Sequence, residues 1–159
     1  MILREKSKNA HLKKFRRINL NKQKDVLITL KSIQSDGTDK SETELITEGL
    51  YKKTKDGFTI TYDESEATGY KGSTTVLTAV GDTFVTMQRT GSTNSNLFIE
   101  KGKKHHCHYG TPYGVFMVGI TTKDIKSTLS ENGGDLYMNY VVDINSSYVS
   151  DHEIIVNIK

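Results

Sequence analysis

The chain contains one cysteine and one proline in 159 residues. A single cysteine excludes an internal disulfide framework and a cysteine-rich zinc pattern. No apolar run approaches the ~18 residues of a membrane-spanning helix. The basic N-terminus has no apolar stretch after its charges, so it does not read as a secretory signal. There is no glycine-rich phosphate loop with a helix behind it, no internal repeat, and no long helical period after residue 24. Hydrophobic content is only 35%, enough for one core if the apolar residues face the same way. The length fits one domain. These absences lead to the expectation of a soluble, cytoplasmic protein, and none of the motifs calls for a cofactor.

Charge is unevenly spread. Residues 1–24 hold nine Lys and Arg against one acid, Glu5, leaving thirteen against eighteen in residues 25–159. The net charge of +3 therefore comes from the tail, and the body is mildly acidic. The division expected is a basic extension, 1–24, and a domain, 25–159. Leu12, Phe15 and Ile18 could place one weak helical stripe on the extension, which its charges would hold poorly without a partner. Any affinity for nucleic acid or an anionic surface belongs to this segment alone.

From Asp25 onward the pattern has period two, broken by turn residues at short intervals. "DVLITLKSI", "ETELITEGLYKK", "FTITYDESE", "STTVLTAV", "DTFVTMQRT" and "NLFIEKG" read as strands. After the segment 101–122 come "KDIKSTLS", the turn "ENGG", "DLYMNYVVDI", the turn "NSSYVSD" and "HEIIVNI". Asp56-Gly57 suits the positive φ of a tight hairpin. Short connections force sequential strands to pair antiparallel, because a parallel crossover needs a dozen residues or more. The expected fold class is all-β: an up-and-down antiparallel meander of ten or eleven strands closed into a barrel, which removes exposed edges.

"KGKKHHCHYGTPYGVFMVGITT" concentrates three of the five histidines and the cysteine. Alternation puts His105, Cys107, Tyr109 and Thr111 on one face and Lys104, His106 and His108 on the other. An unpaired ammonium is costly to bury, so the lysine face is the outer one. His106 and His108 have a His-x-His spacing that can grip zinc, but a site needs a third ligand from a neighbouring strand, such as Glu100. Exposed histidines on a solvated face are the plainer reading. Cys107 beside His105 is more simply a buried apolar thiol than a nucleophile with its base. Pro112 must lie at a strand end or turn. Phe116, Val118 and Ile120 share one face, Val115 and Met117 the other. Both faces are apolar, so one is expected to fill the barrel and the other to be covered by the N-terminal segment or a second subunit.

Two charged residues point inward. Arg89 shares a face with Val85 and Met87, and Glu64 continues the face of Phe58, Ile60 and Tyr62. They can pair and close one end of the barrel, or Arg89 can be left to bind an anionic ligand in bidentate geometry. Tyr62, Tyr109, Thr111 and Tyr140 can add hydroxyls to the same cavity. The small inward residues Thr47, Gly49, Thr75 and Ala79 favour an interior space.

"TEGLY", "YDESEATGYKGSTT", "VTMQRTG", "YGTPYG" followed by "VGITT", and "GGDLYMNY" occur in the order found in the YwiB-like family of bacterial domains of unknown function (DUF1934). The chain resembles that family over roughly residues 25–159. The resemblance implies a calycin-like barrel, related in shape to lipocalins, and no established activity. Calycin barrels commonly hold a small ligand, with an arginine closing one end or meeting a carboxylate; Arg89 is the position that matches, by analogy of fold.

Three functions are compatible with these observations. The first is a binding barrel for a small apolar or carboxylate-bearing molecule, using Arg89, Glu64, Tyr62, Tyr109, Thr111 and Tyr140. The second is an interaction module with a solid core, acting through the basic tail or the Val115–Met117 face, with homodimerisation as one form. The third is an enzyme using Glu64 or Glu66 with Tyr109 and His105, which nothing in the spacing demands.

Overall fold

The computed structural model describes residues 23–159. The helical stripe and the binding partners expected of the basic extension fall on residues 1–22 and so lie outside the described residues. Ten strands follow one another: β1 Lys24–Ser35, β2 Lys40–Lys53, β3 Phe58–Asp63, β4 Ser73–Val80 and β5 Phe84–Gly91. Then come β6 Ser95–Glu100, β7 Lys104–Thr111, β8 Gly114–Ser127, β9 Gly134–Ile144 and β10 Ser147–Ile158. Each pairs antiparallel with the next, and β1 pairs with β10, closing the barrel. Among the described residues there is no helix.

Alternation builds the core. Along β4, Ser73, Thr75, Leu77 and Ala79 are buried while the residues between them are half-exposed. The same rhythm carries Ile28, Ile60, Val85, Ile99, Ile120, Leu136 and Val156 to zero exposure. Each such side chain contributes roughly 1.5–3 kcal/mol. The two ends of the barrel differ. One carries the β2–β3, β4–β5, β6–β7 and β8–β9 connections and both ends of the described chain. There the β8–β9 loop crosses the opening: the Tyr51 hydroxyl donates to the Ser130 carbonyl at 2.8 Å, and Leu129 packs on the core. Tyr51 stacks on Phe58 at 5.0 Å, and burial pushes its hydroxyl up to about 12. The other end, with the remaining five connections, is the mouth.

Several local expectations change. "FTITYDESE" stops being a strand at Asp63, and Glu64–Gly72 is a loop. "VFMVGITT" and "KDIKSTLS" are one 14-residue strand, β8, because a bulge between Thr122 and Asp124 absorbs the register shift instead of ending the strand. "NSSYVSD" is mostly strand; only Asn145 and Ser146 turn, both at positive φ. Gly57 lies in the expected hairpin but not at positive φ. Glycine is needed there because a Cβ would strike the Ala79 carbonyl. Pro112 sits in the two-residue β7–β8 turn. The small residue Gly49 does not leave space: the Ile28 side chain occupies it.

Candidate functional site

The mouth holds a cavity of about 120 Å³. Its charged wall comes from β5 and the β3–β4 loop. Arg89 lies two positions beyond Met87 on the inward face of β5, and Glu64 is the first residue after β3. Both are buried, at 6% and 7% exposure. Arg89 Nη2 donates to Glu64 Oε1 at 3.2 Å, and Arg89 Nε donates to Thr75 Oγ1 at 3.2 Å. Thr75 in turn donates to the same carboxylate oxygen at 2.7 Å. Of the two fates open to Arg89 in the sequence, the structure realises the ion pair.

An aromatic wall surrounds this pair. The Arg89 guanidinium lies 3.7 Å from the centre of the Tyr70 ring, a cation–π contact. Tyr70 and Tyr109 share a hydroxyl–hydroxyl hydrogen bond of 2.8 Å. Across the mouth, Tyr140 stacks on His152 with ring centres 5.0 Å apart and planes 8° from parallel. The His152 Nε2 sits 2.8 Å from the Ser150 hydroxyl. Burial drives its pKa down to about 4, against the opposing pull of Asp151, so the ring is neutral at ordinary pH. Burial also holds the hydroxyls of Tyr62, Tyr109 and Tyr140 protonated, well above the usual tyrosine range; Glu64 adds to the effect at Tyr62. Leu30, Met87, Leu97 and Ile154 form the apolar floor, while Ser32, Gln34, Ser41 and Thr43 line the rim. Gln34 and Ser41 are exposed, so the cavity communicates with solvent.

Arg89, Glu64, Tyr62, Tyr109 and Tyr140 thus meet around one cavity. Thr111 does not: its hydroxyl donates to the Gly114 carbonyl and accepts from the Tyr113 amide, which ties it into the β7–β8 turn. Glu66 is exposed and bridges Lys71 at 3.0 Å, away from the cavity. His105 sits 2.9 Å from Glu100 and takes no part in it. His106 and His108 are exposed, and Glu100, the proposed third ligand, is engaged by His105 and Lys103 instead. No group of three metal-ligating side chains occurs among the described residues. Cys107 is buried; the Phe98 amide donates to its sulfur at 3.3 Å, and burial raises its pKa. A protonated, enclosed thiol is a poor nucleophile.

The sequence reading missed Tyr70, His152 and the rim. His152 was within reach of period two, since it shares a face with Ile154, Val156 and Ile158. Thr43 similarly continues the face of Leu45 and Tyr51. Tyr70 carries no such signal, because it sits on the β3–β4 loop, where side-chain direction has no period.

The fold and the cavity define a closed, ten-stranded antiparallel meander barrel with one polar, aromatic-walled pocket at its open end. The domain of unknown function DUF1934 matches residues 28–156, and the chain belongs to that family. Its barrel is similar to the crystal structure of the ywiB protein from Bacillus subtilis, with a TM-score of 0.70 and 20% identity. That similarity covers 89% of this chain and 96% of the other, and at this identity it speaks to the fold. No curated protein matches the chain.

Proposed function

We propose that the protein is a cytoplasmic binding barrel for a small, polar molecule of no net charge, held at the mouth. The observation that carries this reading is the solvent-connected cavity of about 120 Å³ lined by Arg89, Glu64 and tyrosine hydroxyls. Pockets for drug-sized ligands run to about 300–1,000 Å³, so an acyl chain does not fit the space. The Arg89 charge is already answered by Glu64, which argues against a free carboxylate as the main partner. A neutral molecule with both donors and acceptors exchanges hydrogen bonds with the wall without disturbing that balance. Residues 25–159 act here as one binding domain, with the basic extension outside it.

The test is native mass spectrometry of freshly purified protein, followed by mass analysis of whatever denaturation releases. The expected result is a bound species of low mass that is lost on Ser32→Leu, a change that fills the rim from β1. Protein with no bound species, and with no response to small polar metabolites in a thermal-shift panel, would refute the reading.

A second reading rests on a different observation. Val115, Phe116 and Met117 are 54%, 47% and 53% exposed at the start of β8. Pairing between β8 and β9 begins only at Gly119, so this apolar segment also presents a strand edge that β9 does not cover. Two copies pairing edge to edge about a twofold axis would satisfy both features. Light scattering is the check: a dimer that Met117→Lys converts to monomer supports it, and a monomer at high concentration rules it out.

A further inference from the structure

We propose that the cavity is built for a single-ring, planar heterocycle bearing a lactam edge, the chemical class of the pyrimidine bases. This rests on the binding reading above and narrows it to a ligand class.

Size comes first. A cavity of about 120 Å³ is comparable to the ~150 Å³ apolar cavity that accommodates benzene, the size of a single ring. Shape comes next. The walls carry aromatic rings: Tyr140 and His152 stack on each other with planes 8° from parallel, and Tyr70, whose face covers the Arg89 guanidinium, meets Tyr109 through their hydroxyl bond. A rigid ring enters so small a space at less conformational cost than a flexible chain.

Hydrogen-bonding pattern is the third point. Arg89 uses Nε and Nη2 on Thr75 and Glu64, and Glu64 accepts from Arg89 and Thr75 on Oε1. Arg89 Nη1 takes no hydrogen-bond partner among the described residues and is not sealed from solvent, and the Glu64 carboxylate, also met by the Tyr62 hydroxyl, keeps acceptor capacity on its remaining lone pairs. In a pair that is otherwise buried, the remaining access is the cavity. The wall therefore offers one strong donor beside one strong acceptor. A lactam presents the complement, a ring N–H next to a carbonyl. The Tyr140 hydroxyl, which also has no partner among the described residues and stays protonated, adds a further donor–acceptor group on the facing wall. A site that reads an N–H and a C=O together discriminates sharply against rings lacking either.

The experiment uses the full-length protein with uracil, cytosine, adenine, acetamide and acetate, read by saturation-transfer NMR and titration calorimetry. Uracil or cytosine should bind, with adenine and acetate at least about tenfold weaker. Glu64→Gln should weaken the ring by about tenfold or more, the range for a hydrogen bond to a charged group. Because that change leaves Arg89 buried beside a neutral partner, Ser32→Leu serves as a second variant that leaves the charge pair untouched; it should abolish binding while preserving the thermal transition. Acetamide binding through a Ser32→Leu-sensitive site without ring binding would overturn the ring class and leave the binding reading standing. No binding by any probe, together with no co-purified species, would remove both. Ring binding unchanged in Ser32→Leu would place the ligand elsewhere and overturn the proposal.

Discussion

Arg89 brings a full positive charge into a barrel whose interior, Glu64 and His152 aside, is apolar or hydroxyl-bearing. Its retention depends on Glu64, Thr75 and the face of Tyr70 acting together. Removing one member of such a pair leaves the other charge buried and costs roughly 3–5 kcal/mol, whereas removing both costs much less. Arg89→Met and Glu64→Gln should therefore each lower the urea midpoint sharply, and the double variant should recover much of the loss. Additive losses would mean the two charges are not coupled. His152 supplies a second residue-level outcome. Its folded pKa of about 4 lies below the ordinary histidine value of 6.5, so its stability contribution is complete above pH 6.5 and is lost as the pH falls towards 4. Asp143 and Asp151 are held low by Lys104 and Tyr148 respectively, and their contributions disappear only at more acid pH. Between pH 6.5 and 4.5 the loss should reach roughly 2–3 kcal/mol, and His152→Phe, which keeps a ring on Tyr140, should flatten it. A wild-type protein equally stable at both ends of that window would contradict the assignment.

At the scale of elements, period two makes most of the barrel readable from the sequence. Strands with clean alternation, such as β4 and β5, fall where the pattern places them, and the inward direction of Arg89 follows from Val85 and Met87. The reading failed where a strand hides its own continuity. The bulge at Lys123 flips the alternation halfway along β8 and makes one strand look like two. It also failed at β10, where Asn and Ser residues suggest a turn but the chain is already paired with β9 at Ser147. Cavity shape was the least accessible property, because it depends on which neighbour fills which gap. Gly49 shows this: its missing side chain suggests a hole, but Ile28 on β1 fills it. Gly49→Ala should destabilise the barrel by about 1–3 kcal/mol through overpacking. Adding Ile28→Val, which withdraws the Cδ1 atom that the new Cβ would meet but leaves the Thr61 carbonyl in its way, should restore only part of the loss in thermal melts. An Ala variant as stable as wild type would show that the approach of β1 and β2 at this level is looser than the packing implies.

For the whole molecule, closure depends on its ends. β1 pairs with β10 through eight residues, from Ile28 opposite Ile158 to Ser35 opposite Asp151, so the first and last strands of the barrel form its seam. Such long-range pairing is slow to form and forgives little. Deleting residues 153–159 would remove the buried side chains of Ile154, Val156 and Ile158, worth roughly 5–9 kcal/mol together. That rivals the entire stability of a typical domain, about 5–15 kcal/mol. It would also leave β1 and much of β9 as open edges with apolar inner faces, the arrangement that recruits other chains. The truncated protein should therefore lose its cooperative melt and elute in the void volume of a sizing column, although the charged pair at the mouth is untouched in sequence. The cavity requires the closed wall as well, since His152 and Ile154 stand on β10 opposite Tyr70 and Arg89. A soluble, cooperatively melting truncation would mean that nine strands suffice to hold the barrel, and that the seam serves the pocket rather than the fold.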